Sequence, residues 1–191
     1  MPDSGIPIGW YVAGGIVFLV LVWVAAVYNG LVRLRQHCRE SWSGVDTELK
    51  RRYDLIPNLV ETVKGYAAHE RETLQRVIEA RARAVASTGR PSSQAADENA
   101  LVETIKSLFA VVESYPDLKA SANFLKLQEE LVDTEDRIQA ARRFYNANVR
   151  DLNTRVAVVP SNLIAGLFGF RQAEFFEVED SRVRQAPAVE C

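Results

Sequence analysis

Any chemistry this chain performs has to start from a small set of side chains. His69-Glu70 opens like a zinc-protease motif, in which two histidines one helical turn apart bind the metal and the glutamate between them acts as base. The second histidine would stand at position 73, which is Thr73. A di-iron bundle needs Glu-x-x-His on two facing helices, but the residues three before His37 and His69 are Leu34 and Tyr66. Both metal readings fail on ligand count. A Ser–His–Asp arrangement needs only folding to bring its members together, yet no nucleophile sits on a glycine-flanked turn. No glycine-rich phosphate loop occurs either. The residues read as non-enzymatic, with no cofactor and no metal. With 23 Lys and Arg against 25 Asp and Glu, there is no basic excess to track a nucleic-acid backbone. Cys38 and Cys191 lie too far apart in sequence for metal-ligand spacing or a disulfide framework, which weakly favours a reducing compartment.

More informative are charged residues that fall where a helix should be apolar. Glu70 is in phase with Ala67 and Leu74, and Arg81 takes the stripe position after Val77. Glu135, Arg142 and Arg143 lie beside the stripe of a later helix. The expected role of these five is an ion-pair network within or at the edge of a bundle, setting helix register more than stability. The alternative is a polar groove for a partner. Lys50-Arg51-Arg52 could touch anionic headgroups, but Asp46, Glu48 and Asp54 flank it and it reads as a solvated face.

The elements that must position these residues are helical throughout. From Leu49 an apolar stripe runs through Tyr53, Ile56, Val60, Val63 and Ala67 to Leu74 and Val77, in steps of three and four. Glu48–Arg52, Glu72–Arg76 and Glu79–Arg83 are i,i+4 pairs that would support it. Pro57 interrupts the pattern. Deep in a helix it would cost about 3 kcal/mol, whereas in a first turn capped by Asp54 it would cost little, so a kink or break is expected at Asp54 to Pro57. Residues 88–93 read as a loop. A further helix is expected over Glu98–Ser114, ended at Tyr115-Pro116-Asp117, and the longest over Ala122–Val158, with Phe124, Leu127, Leu131, Ile138, Ala141, Tyr145, Leu152 and Val156 recurring near a 3.5-residue period. Pro160 stops it. The fold class is all-α: a single N-terminal transmembrane helix followed by an antiparallel bundle of three to four long helices.

The transmembrane expectation rests on residues 8–28. No charge occurs between Asp3 and Arg33, and this stretch, at roughly 1.5 Å per residue, matches a bilayer core of about 30 Å. Trp10, Tyr11 and Tyr28 suit the two interfaces. Val24-Ala25-Ala26 resembles a signal-peptide cleavage site, but there is no basic n-region and the apolar run is too long, so an uncleaved anchor is expected. Arg33, Arg35 and Arg39 put the N-terminus outside and the bundle in the cytoplasm, with the reverse orientation as the alternative. Gly9, Gly14 and Gly15 would allow close helix packing, which leaves a homo-oligomer open without arguing for one.

The resulting division is a flank 1–7, the span 8–28, a membrane-proximal helix 29–54 with its first turns solvated or at the interface, a core bundle 55–160, an apolar segment 161–178 and a loose tail 179–191. The apolar segment contains Leu163, Ile164, Leu167, Phe168, Phe170, Phe175 and Phe176. A short helix capped by Ser161, covering the open end of the bundle, is its expected form. The sharper reading is a patch for lipid or a partner.

These residues resemble a known family. The run Arg51-Arg52-Tyr53-Asp54-Leu55-Ile56-Pro57-Asn58-Leu59-Val60-Glu61-Thr62-Val63-Lys64-Gly65-Tyr66, then His69-Glu70, is similar to the signature of the bacterial LemA family. Leu127-Gln128-Glu129-Glu130-Leu131, Ala141-Arg142-Arg143-Phe144-Tyr145-Asn146 and Asn162-Leu163-Ile164-Ala165-Gly166-Leu167-Phe168-Gly169-Phe170 match as well. The chain departs at Val158-Val159, where an aromatic is common before the proline, and in ending on Glu190-Cys191 rather than an apolar residue. The resemblance implies a membrane-anchored helical bundle of the bacterial cytoplasmic membrane and supplies no catalytic mechanism. The expected function is therefore a membrane-tethered interaction or scaffold protein contacting another membrane-associated protein. The alternative is a lipid- or envelope-directed structural protein acting through the apolar C-terminal segment.

Overall fold

Helical periodicity dominates the sequence, and the computed structural model, which describes residues 8–87 and 90–177, is helical throughout its regular elements. The flank 1–7, Thr88-Gly89, Val178 at the end of the expected apolar segment and the tail 179–191 lie outside the described residues. In chain order the helices are α1 (Ile8–Tyr66), α2 (Arg71–Ala86), α3 (Pro91–Val112), the single turn α4 (Pro116–Lys119), α5 (Ala122–Ala157) and α6 (Ser161–Leu167).

The chain divides into two compact units, both of which draw on α1 and α5. In the unit made of Ser41–Asn146 and residues 174–177, the core series on α1 is Val45, Leu49, Arg52, Ile56, Leu59 and Val63, all buried. On α3 it is Gln94, Glu98, Leu101, Ile105, Leu108 and Val112, and on α2 Leu74, Val77, Ala80 and Ala84. The steps of four and three keep one face of each helix turned inward. Following α1 back from Arg52 to Trp42, the partner on α5 advances from Glu135 to Tyr145, so these two helices run antiparallel.

The other unit combines residues 8–40 with Ala147–Ala173. The beginning of α1 is long and apolar enough to cross a membrane, and its side chains from Ile8 to Trp23 are largely exposed. Farther along α1, the sequence reading of solvated first turns holds for Arg33 and Arg39 but not for the opposite face, where Val27, Leu31 and Cys38 are buried. Burial pushes the Cys38 thiol up, and the nearby Asp151 carboxylate adds to the effect.

Several expectations need correction. α1 is not broken at Asp54–Pro57: Pro57 lies inside the helix, Asp54 is an exposed mid-helix residue, and the interruption falls at residues 67–70. The carbonyl that Pro57 deprives of an amide, that of Tyr53, accepts a hydrogen bond from Arg81 Nε at 2.7 Å instead, which offsets part of the penalty. α3 begins at Pro91, not Glu98. Proline at a first helical position lacks only an amide that has no helical partner there anyway, and the amides of Ser93 and Gln94 close onto the Arg90 carbonyl at 3.0 and 3.1 Å. Of the three i,i+4 pairs, Glu72–Arg76 forms at 2.8 Å, while Arg52 turns inward to other partners and Glu79 takes Gln75. Ser161 does not cap α6. Its hydroxyl donates toward the Arg155 carbonyl in the last turn of α5 at 2.7 Å and that of Val158, just past the helix, at 3.0 Å.

α6 ends in a Schellman turn. The Phe170 amide reaches back to the Ala165 carbonyl at 2.9 Å and Gly169 to Gly166 at 3.3 Å. This closure requires a left-handed residue, which Gly169 supplies with φ of 69°.

Candidate functional site: a buried ionic cluster

The most concentrated chemistry among the described residues is a charged cluster inside the Ser41–Asn146 unit. Arg52, at a core position of α1, is 3% exposed. Its guanidinium donates to Glu98 of α3 and, at 2.7 Å, to Glu135 of α5. Glu98 is wholly buried. Its second carboxylate oxygen accepts the hydroxyl of Tyr53, which also lies 3.4 Å from the Ala84 carbonyl of α2. With Arg81 bound to the Tyr53 carbonyl, α1, α2, α3 and α5 are all tied at one level of the bundle.

Burial decides how each member behaves. The Tyr53 hydroxyl is pushed well above its ordinary range, first by desolvation and then by its hydrogen bond to the Glu98 carboxylate; the Arg52 charge and then a hydrogen bond with Gln94 act the other way. A phenol held this firmly protonated donates a hydrogen bond and is no base. Glu98 and Arg52 have exchanged water for each other, so their worth lies in mutual compensation. Glu135 is different: its side chain keeps 36% of its surface exposed, so the pair it adds is partly screened. Two polar atoms beside the cluster, Arg52 Nε and Glu48 Oε2, are buried without a hydrogen-bond partner among the described residues. No group of three or more His, Cys, Asp or Glu side chains among those residues could hold a metal ion.

The structure separates the five charged residues singled out by sequence. Glu135 belongs to the cluster and Arg81 adjoins it. Glu70 precedes the first residue of α2, about 16 Å from Arg81 along the helix axis, where it accepts the Tyr115 hydroxyl at 2.9 Å and thereby raises that phenol's pKa. Arg142 is half-buried and Arg143 is exposed. Arg52 and Glu98 escape the sequence reading because Arg52 stands in a charged run that looks solvated and Glu98 at the expected start of a helix. The available signal was two opposite charges, each in phase with buried apolar neighbours.

The apolar C-terminal residues also divide. Ile164, Phe170 and Phe176 are buried, Phe175 is half-buried, and Leu163, Leu167 and Phe168 are exposed. Tyr28 contacts Phe168 and Phe170 at ring-centre distances of 4.8 and 5.8 Å, and the Arg35 guanidinium sits 5.0 Å over Phe170. Phe176 packs edge-on to Trp42 at 5.3 Å. Two asparagines of α5 hold the extended chain through paired side-chain bonds. Asn153 accepts the Ala173 amide at 2.8 Å and donates to its carbonyl at 2.9 Å. Asn146 does the same for Phe176 at 2.9 and 3.1 Å.

Residues 41–191 match the model of the LemA family. The chain is 27% identical over 175 residues to magnetosome protein MamQ 2 of Paramagnetospirillum magneticum, covering 78% of this chain and 64% of that protein. It is 25% identical over 174 residues to magnetosome protein MamQ of Magnetospirillum gryphiswaldense, with the same coverage. Protein LemA of Metamycoplasma hominis is 25% identical over 165 residues, covering 82% of this chain and 75% of that protein. The chain thus spans 64% of the length of the magnetosome proteins it matches.

Proposed function

This chain belongs to the LemA family, and we propose that it works as a membrane-tethered interaction module without catalysis of its own. One observation carries the reading: the side chains best suited to chemistry are engaged with one another inside the bundle, while α1 passes from its apolar beginning into that bundle as one helix. Reaching Glu98 would require opening the core. The helices present their outer faces instead, with Ile78, Leu125, Val132 and Phe144 among the exposed apolar side chains.

In this proposal residues 8–28 remain as an uncleaved anchor in the bacterial cytoplasmic membrane. The continuity of α1 through Val24-Ala25-Ala26 and the burial of Val27 and Leu31 just beyond it support that reading. Arg33, Arg35 and Arg39 favour a cytoplasmic bundle. The partner is another membrane-associated protein. Photo-crosslinking in cells from Ile78, Leu125, Val132 and Phe144, with the anchor intact, should yield a saturable adduct with one partner protein. If none of the four positions gives such an adduct, the proposal is wrong. Protease treatment of intact cells tests the orientation, since degradation of the bundle without lysis would reverse it.

A further inference from the structure

We infer that the exposed apolar side of α6 sits in the membrane surface beside the anchor, with surrounding arginines against anionic headgroups; this rests on reading residues 8–28 as a span. The argument begins at Tyr28, where the apolar run ends. Its ring lies 4.8 Å from Phe168 and 5.8 Å from Phe170. Those contacts place the end of α6 at the level on α1 where a bilayer core would stop.

α6 is two-faced at that level. Ile164 and Ala165 are buried, whereas Leu163 is 68% exposed, Leu167 76% and Phe168 50%. Val159, just before the helix, is 78% exposed. Large apolar side chains beside an interfacial tyrosine fit the headgroup–acyl boundary, where a short amphipathic element gains by inserting one face.

Charge selects the same occupant. Among residues 8–40 and 147–173, the acids are Glu40 and Asp151, against six arginines: Arg33, Arg35, Arg39, Arg150, Arg155 and Arg171. All six are exposed. This excess of four positive charges stands in a chain whose formal net charge is −2. Basic side chains next to a span are attracted to an anionic leaflet, and Arg35 is held there by its position over Phe170.

The test reconstitutes the full chain, with Cys38→Ala and Cys191→Ser, into vesicles of phosphatidylcholine alone or mixed with phosphatidylglycerol. Spin labels are placed singly through Leu163→Cys and Leu167→Cys, with Val20→Cys as the span control and Phe144→Cys as the aqueous control. Oxygen collisions should exceed those of a water-soluble nickel chelate at 163, 167 and 20, with the reverse at 144. The 163 and 167 labels should sit deeper when phosphatidylglycerol is present. Nickel dominance at 163 and 167 with oxygen dominance at 20 would overturn the inference and leave the anchor standing. Nickel dominance at 20 as well would remove the span and the inference together. Labels shielded from both reagents and broadened by spin–spin coupling would assign the face to a second copy of the chain. Equal depth in the two vesicles would overturn the headgroup part. A photo-crosslinker at 163 or 167 in the chain with both cysteines retained must attach to lipid, which checks the result independently of the cysteine changes.

Discussion

Arg81 donates through Nε, at 2.7 Å, to the carbonyl of Tyr53, the acceptor that Pro57 leaves without its helical amide. One side chain from α2 thus repairs α1 where its own hydrogen-bond ladder fails, and a proline inside the long helix is tolerated without a break.

The repair predicts a coupling between residues that need not touch. Arg81→Ala should cost about 1–3 kcal/mol by orphaning a partly buried carbonyl. In a Pro57→Ala background the restored amide satisfies Tyr53, and the same change should cost much less. Urea unfolding of the detergent-solubilised chain in all four combinations measures this. An equal cost in both backgrounds would refute the compensation.

The two carboxylates bound to Arg52 should behave unequally. Glu98→Ala leaves a guanidinium uncompensated in the core and should destabilise by about 3–5 kcal/mol. Glu135→Ala removes a carboxylate with 36% of its side-chain surface exposed and should cost about 1 kcal/mol or less. Thermal unfolding of the two variants should rank them in that order, and the reverse order would show that Glu135 carries the cluster.

Replacing the charge pair is a different experiment from breaking it. Arg52→Met with Glu98→Leu, combined with Tyr53→Phe so that no buried hydroxyl loses its acceptor, should be far less harmful than Arg52→Met or Glu98→Leu alone, and neutral to stabilising by about 1–4 kcal/mol if the apolar side chains pack well. Hydrogen exchange on the combined variant then asks what the charges contribute besides stability. A stable bundle with broadened, multiple conformations would assign them to fixing helix register.

Tyr53 gives the cluster a pH dependence. Its hydroxyl is raised from the ordinary value of 10.0, chiefly by burial and then by the Glu98 hydrogen bond, so the folded chain holds this proton more tightly than the unfolded one. The linked stability is complete below about pH 10 and is lost as the pH rises from there toward the higher folded value. Tyr53→Phe should therefore be less stable than wild type at pH 8, with the gap closing above about pH 10. Unfolding curves across that range would contradict the assignment if the gap stayed constant.

At Gly169 the prediction concerns backbone alone. Space around the position is open, but φ of 69° lies in the left-handed region. Gly169→Ala should cost about 1–2 kcal/mol, accompanied by faster amide exchange at Phe170 as the turn loosens. Unchanged exchange would show that the turn does not depend on glycine.

The helical character, the extent of α5 and the apolar N-terminal segment were legible in the residues because periodicity and hydropathy are local properties. The family resemblance, carried by consecutive residues, was legible for the same reason. Tertiary structure decided how the polar residues were used. Arg52 finds Glu98 46 residues away and Glu135 83 residues away, and no local pattern distinguishes those carboxylates from their neighbours. The early start of α3 follows from Pro91 occupying a first-turn position, which the same serine-rich sequence equally suits as a loop. The fate of the apolar C-terminal residues was likewise not local: adjacent Phe175 and Phe176 differ in burial because Trp42 and Asn146 receive the second. Pro57 shows the principle most directly. Its lost hydrogen bond could be read from sequence, but whether α1 would break depended on a guanidinium carried by another helix.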